Sequence, residues 1–330
     1  MSKLIIGIHG LGNKPPEKLL ASWWRLALEE GLSVIAKPHY FFKFDLVCWA
    51  PFIHPQPLDP AVKDLDNPLY IPDPYFPGNT HWLNQPASVR RKMLGFFKKQ
   101  MSRILLDTDF TIRHSQISDM IIHYFYQDLD IYYTANCPEA EHTNLPARTC
   151  IQEKLISTLR QNKNKDIMLI AHSMGSIIAY DVLKQLESEV QIDTLVTLGS
   201  PLGMASIQRR LYPGIPAANK KDFHLPTPDN ISRFWFNFAD PEDKVAMDYE
   251  LAEDFEPNRY GVKPLDYLVH NNYELHGKRN PHKIYGYLRT RQMAETIDNF
   301  LTSERFNVSI WIGDKINRFW GEKKVKYESR

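Results

Sequence analysis

A serine standing alone between two apolar runs constrains this chain more than any other feature. The segment Asp166–Tyr180 reads Asp-Ile-Met-Leu-Ile-Ala-His-Ser-Met-Gly-Ser-Ile-Ile-Ala-Tyr, with Ser173 at its centre. The run from Ile167 to Ala171 is short, apolar and uninterrupted, as in a strand buried on both faces. The stretch after the serine carries apolar residues at helical spacing. Ala171 and Gly175 stand two residues before it and two after it. Small side chains there let strand and helix pass close beside a sharply bent, strained residue. The pattern is that of a strand-to-helix elbow that presents a nucleophile at its tip.

The rest of the chain alternates in the same way. Lys3–His9 reads as a buried strand, followed by the turn His9-Gly10-Leu11-Gly12-Asn13. Pro15-Pro16 and Glu17 open a helix to about Gly31, with Leu19, Leu20, Trp23, Trp24, Leu26 and Ala27 on its apolar face. Phe41–Trp49 predicts a second strand. From Pro51 to about Leu83 the prolines forbid regular helix or central strand. Residues 86–135 predict helix, with Met93, Leu94, Phe96, Phe97, Met101, Ile104 and Leu105 on one stripe. A helix over Arg148–Gln161 precedes the serine strand. Further strands are expected at Ile192–Gly199, Ser232–Ala239 and Leu265–Leu275, and a closing helix at Ile284–Leu301. Strands alternating with helices predict an α/β fold with a mainly parallel sheet covered on both faces.

The pentapeptide Ala171-His172-Ser173-Met174-Gly175 resembles the G-x-S-x-G elbow of the α/β-hydrolase superfamily, and within it lipases and esterases, with alanine in place of the first glycine. His9-Gly10-Leu11-Gly12 resembles that family's oxyanion loop. The resemblance covers 1–50 and 147–303. It implies one α/β-hydrolase domain over 1–303 and says little about the rest: by its length 51–146 reads as an insertion, a lid or substrate-binding region, and 304–330 as an amphipathic C-terminal extension. Insertions of that length in compact domains are usually functional.

The resemblance also implies a chain order of serine, then acid, then histidine. Serine needs an adjacent base, and the base needs an orienting carboxylate. The acid is expected in Phe238-Ala-Asp-Pro-Glu-Asp-Lys-Val245, after a late strand: Asp243 first, Asp240 as runner-up and Glu242 third. The base is expected just before the closing helix, where His282 stands; His276 is the runner-up, and His270, inside an expected strand, reads as structural. The backbone N–H groups of Leu11 and Met174 are the expected oxyanion donors. His9 and His172 flank the site as packing residues, because neither fits the order.

Composition excludes several classes. A net charge of +1 argues against nucleic acid. Cys48, Cys137 and Cys150 are too few and too odd in number for a disulfide framework. There is no H-E-x-x-H, and His270, His276 and His282, spaced six apart, do not share a helix face, so neither metal nor cofactor is expected. The glycines after the first strand make neither G-x-G-x-x-G nor a G-K-[ST] phosphate loop. No long apolar leader or 18-residue apolar run appears, and a cytoplasmic protein is expected. The tail carries Trp311, Ile312, Phe319 and Trp320 among basic residues; it either packs on the domain or makes a weak peripheral membrane contact.

The expectation is a serine hydrolase cleaving small-molecule carboxylic esters through an acyl-enzyme on Ser173. Phe52, Tyr70, Tyr75, Phe76 and Trp82 in the insertion point to an apolar acyl group. An acyltransferase or thioesterase on the same residues, or an inactive binding protein of this fold, are the alternatives.

Overall fold

In the computed structural model, residues 2–37, 41–78, 118–137, 145–212 and 224–303 are described. Their elements, in chain order, are β1 (Lys3–Ile8), α1 (Glu17–Val34), β2 (Phe44–Val47), a short 3₁₀ turn (Ala50–Phe52), α2 (Ser118–Thr134), α3 (Ala147–Gln161), β3 (Asp166–His172), α4 (Met174–Leu186), β4 (Ile192–Leu198) and α5 (Ala205–Leu211). β5 (Leu225–Pro226), β6 (Ile231–Ala239), α6 (Leu251–Asp254), β7 (Phe255–Glu256), β8 (Pro264–Leu268), β9 (Glu274–Leu275), β10 (Lys278–Arg279), α7 (Ile284–Leu288) and α8 (Arg291–Thr302) follow.

Six strands form one sheet in the order β2-β1-β3-β4-β6-β8, and every pairing is parallel. Period-2 alternation divides the core between its two faces. Leu4, Ile6 and Ile8 of β1, Ile167, Leu169 and Ala171 of β3, and Trp235 of β6 join one cluster with α3 and α4. Ile5, Met168, Ile170, Val196, Phe236 and Phe238 join the other, with α1, α7 and α8. The architecture is that of an α/β-hydrolase fold: a parallel sheet with helices on both faces. Because all the strands run one way, their carboxyl ends share one edge, where open α/β sheets place ligand sites.

Several boundaries differ from the sequence expectation. The strand expected over Leu265–Leu275 leaves the sheet after Leu268. Asn271 turns the chain: its N–H donates to Asp240 Oδ2 at 2.6 Å, and its side-chain amide donates to Pro281 O and Lys283 O. The closing helix is two helices. Thr290 is extended, and its hydroxyl caps α8 by accepting from Met293 N at 3.3 Å. Cys137 and Cys150 form a disulfide, contrary to the cysteine expectation. An odd total argued against a framework, but a single bridge needs only two cysteines placed close in space.

Residues 51–146, expected as an insertion, are tied to the sheet and its helices at two places. Leu129 and Tyr132 of α2 lie in the core cluster that contains Ile8 and Met174. Tyr132 donates to Asp181 of α4 at 3.1 Å, and Arg148 of α3 pairs with the same carboxylate at 2.8 Å. Nearer its start, Arg289 donates to Phe76 O at 2.7 Å, and Tyr273 donates to Pro74 O at 2.6 Å. The apolar stripe expected at Met93–Leu105, Trp82 and the 304–330 extension lie outside the described residues.

At the elbow, Ser173 has φ +53°, a left-handed backbone that costs a residue with a side chain about 1–3 kcal/mol. Gly175 lets α4 start against β1: a Cβ there would sit 2.6 Å from His9 O and 2.7 Å from Ile8 O, both backbone atoms. Gly175→Ala should therefore destabilise the fold by about 1–3 kcal/mol through overpacking, read as a lower denaturant midpoint at unchanged m-value.

Candidate active site

Ser173 sits at the tip of the turn from β3 into α4, its N–H donating to Leu198 O at 3.0 Å. Its hydroxyl lies 3.0 Å from His282 Nε2. His282 Nδ1 lies 2.9 Å from Asp243 Oδ1 and 2.8 Å from Oδ2. A ring that donates from Nδ1 to a carboxylate has a free lone pair on Nε2, so Nε2 can accept the serine proton. The serine comes from the end of β3, the acid from the loop after β6, and the histidine from the segment before α7. Residues 39 and 109 positions apart thus meet in one hydrogen-bonded chain.

Asp243 is fully buried at its side chain and its acceptors are filled. Oδ1 accepts from Val245 N at 2.9 Å, and Oδ2 from the Tyr287 hydroxyl at 2.6 Å. Tyr287 also accepts from Asp240 N at 2.9 Å, so one phenol braces both ends of the acid loop. Burial, then the negative charges of Asp243 and Asp240, push its pKa well above the ordinary tyrosine value, which keeps it a donor. A tyrosine inside an apolar helix carries no motif, so nothing in the sequence marks Tyr287.

The alternative acids and base stand elsewhere. Asp240 is buried but engaged by Arg279 Nη2, Asn271 N and, at 2.9 Å, Glu242 N. Glu242 pairs with Arg279 as well. His276 is exposed at the β9–β10 turn with φ +51°. His270 lies just past β8 rather than within it, with Nδ1 3.0 Å from Arg279 Nη2.

The loop after β1 closes against the serine: a Cβ on Gly10 would lie 2.6 Å from Ser173 Cβ. His9 stacks on Trp49 at 4.8 Å, and its Nε2 accepts from Trp49 N at 3.0 Å and Ala50 N at 3.3 Å. With Nε2 accepting, Nδ1 carries the proton and donates to Gly10 O at 2.8 Å. That peptide's other end is the Leu11 N–H. In a planar trans peptide the N–H points opposite to the carbonyl, away from His9. Met174, the first residue of α4, has an N–H with no intrahelical acceptor. Two backbone donors thus come from the two segments that flank Ser173.

Lys14 Nζ donates to Leu11 O, and to Gly12 O at 2.8 Å. Burial, and then the charge of Lys283, lower its pKa to about 7. His172 lies 4.8 Å from the His282 ring, centroid to centroid, and its Nε2 donates to His282 O at 2.9 Å. Burial, reinforced by His282, depresses its pKa well below the ordinary value. Among the described residues, no His, Cys, Asp or Glu cluster is disposed to hold a metal ion.

A protein-family model, the PGAP1-like alpha/beta domain, matches residues 75–281, more than half of the chain. The chain belongs to that family. It is a family of the α/β-hydrolase superfamily, which agrees with the sheet above and points to activity of the hydrolase type. The match spans Ser173 and Asp243 and ends one residue before His282. Comparison with curated proteins gives no match.

The buried histidines set a pH dependence. His9 and His172 are held neutral by burial, with pKa values well below 6.5. The unfolded chain therefore binds more protons below that pH; the stability they allow is complete above it and is lost on acidification. Asp240 works the other way, because burial raises its pKa from 3.8 to about 6, so its contribution fades as pH rises across that window. Asp181 and Asp266, also raised by burial, act in the same sense as Asp240 at acid pH. Unfolding free energy should fall as pH drops from about 7 to about 6, where the unfolded histidines begin to bind protons. Denaturant titrations read this directly, and a flat profile would contradict the assignment of neutral rings.

Proposed function

We propose that this protein is a serine hydrolase of carboxylic esters, working through an acyl-enzyme on Ser173. The observation that carries the reading is the unbroken chain from Ser173 Oγ through His282 to Asp243, at 3.0 and 2.8 Å. In this reading His282 Nε2 takes the serine proton as Oγ attacks the ester carbonyl. Asp243 holds the ring in the Nδ1–H tautomer and stabilises the imidazolium. The Leu11 and Met174 N–H groups bind the developing oxyanion. His282 then protonates the leaving alcohol, and a water, deprotonated by the same nitrogen, releases the acid.

An apolar acyl group is the substrate chemistry we favour. Leu11, Phe52, Ile53 and Met204 are partly buried side chains packed on the cluster that contains Met174. Phe52 and Ile53 come from the insertion, which the reading assigns to acyl binding. Among the described residues, no helix is long and apolar enough to cross a membrane.

Ser173→Ala and His282→Ala should each lower kcat for a p-nitrophenyl ester by about 10⁶-fold if the three residues act as a unit. Asp243→Asn should lower it by about 10⁴-fold, through the wrong tautomer. His276→Ala should leave it unchanged. A fluorophosphonate probe should label Ser173 in the folded wild type and not in His282→Ala. Equal activity in His282→Ala and wild type would sink the reading.

The cytoplasmic expectation meets the Cys137–Cys150 pairing here. Disulfides form and persist in oxidising compartments and are rare in the cytosol. We therefore propose an oxidising compartment for this chain. Thiol counting on protein isolated under alkylating conditions should find Cys48 alone modified; three modified cysteines would restore the cytoplasmic assignment.

A further inference from the structure

The peptide joining Leu11 to Gly12 is gripped at both ends by groups that take no part in the serine–histidine–aspartate chain. Its carbonyl oxygen accepts from Lys14 Nζ, and its N–H donates to Asp128 Oδ2. The same ammonium donates to Gly12 O at 2.8 Å and lies 3.5 Å from Asn13 O. Gly12 has φ +80°, so the loop turns sharply at this point.

Asp128 is a fixed anchor. It stands on α2, the last helix of the insertion, and its side chain is 3% exposed. The next residue, Leu129, and Tyr132 one turn on are buried in the cluster that also contains Ile8 and Met174. His54 Nε2 lies 3.4 Å from the second carboxylate oxygen. A peptide plane is rigid, and only φ and ψ of Leu11 separate the gripped peptide from the one before it. That preceding peptide carries the Leu11 N–H and is itself held through Gly10 O by His9. With the planes on both sides of Leu11 held, its N–H cannot swing.

We infer that Asp128 and Lys14 are positioning residues for the oxyanion hole: their grip on the Leu11–Gly12 peptide keeps the Leu11 N–H aimed at the carbonyl oxygen of a substrate on Ser173. The inference rests on the acyl-transfer reading of Ser173. It gives the insertion a role in the reaction, because a helix outside the expected fold supplies one of the two clamps. Neither side chain touches the reacting atoms. Their effect is on the transition state, where charge appears on the oxygen, and not on ground-state binding.

The test is steady-state hydrolysis of p-nitrophenyl butyrate by the full chain, with thermal unfolding of each variant as the folding control. Asp128→Leu removes the acceptor for Gly12 N–H. It should lower kcat by about 10- to 100-fold with KM within about twofold of wild type. Asp128→Asn keeps a carbonyl acceptor and should recover most of kcat, which a purely electrostatic role for the carboxylate would not allow. Fluorophosphonate labelling of Ser173 should slow in parallel with kcat in Asp128→Leu, because the phosphonyl oxygen occupies the same hole. A folded Asp128→Leu enzyme with wild-type kcat would overturn the inference, as would Asp128→Asn no better than Asp128→Leu. If Asp128→Leu does not fold, Lys14→Met decides: lower kcat at unchanged KM supports the inference, and unchanged kcat overturns it. An active wild type with insensitive variants removes this inference alone. A folded wild type that neither hydrolyses the ester nor takes the label removes the acyl-transfer reading as well.

Discussion

The left-handed backbone of Ser173 is the constraint around which the site is built. A residue with a side chain at φ +53° is disfavoured by itself and persists only where its surroundings leave no alternative. Here β3 delivers it from a strand buried along its whole length, and α4 carries it away with Met174 to Val182 all buried. The Ser173 N–H is fixed to Leu198 O of the neighbouring strand. The turn cannot relax without unpacking the centre of the sheet. That rigidity is what lets a hydroxyl sit 3.0 Å from an imidazole contributed by a segment 109 residues away.

The partners of the serine are held by the same logic, one layer further out. Tyr287 fixes Asp243, Asp243 holds the His282 ring at Nδ1, the His172 ring donates to the His282 carbonyl, and His9 fixes the loop opposite. Each of these supporting groups is buried, and each donates or accepts through geometry that allows one orientation. Low polarity around them strengthens every hydrogen bond and makes an unpaired one costly, so the network is satisfied as a whole or not at all. The depressed pKa values of His9 and His172 follow from the same burial. A neutral His172 puts no second cation against the His282 ring.

Much of this was legible in the chain. The apolar runs of β1, β3 and β4, the small residues around Ser173 and the position of His282 before the closing helix are local patterns, and the corresponding elements are where those patterns put them. Other features were hidden for physical reasons. Thr290 caps a helix inside what reads as one continuous apolar period, because a cap depends on backbone angles that composition does not report. Asn271 bends the chain away from the sheet through bonds to Asp240, Pro281 and Lys283, none of them its sequence neighbours. The Cys137–Cys150 bridge depends on the segment after α2 meeting the first turn of α3, which no spacing rule supplies.

Sequence alone determined the class of fold and marked the serine, because periodicity and small-residue spacing are properties of neighbours along the chain; the order of acid and base was what the resemblance to α/β-hydrolases implied. Tertiary structure decided between carboxylates three residues apart. Asp240 and Asp243 share one loop and one chemistry. Only packing turns Asp243 toward the His282 ring and commits Asp240 to Arg279 and Asn271. It likewise brought Lys14 and Asp128, 114 positions apart, to the two ends of one peptide. Hydrogen-bond partners act over about 3 Å, and that closeness is a property of the folded chain.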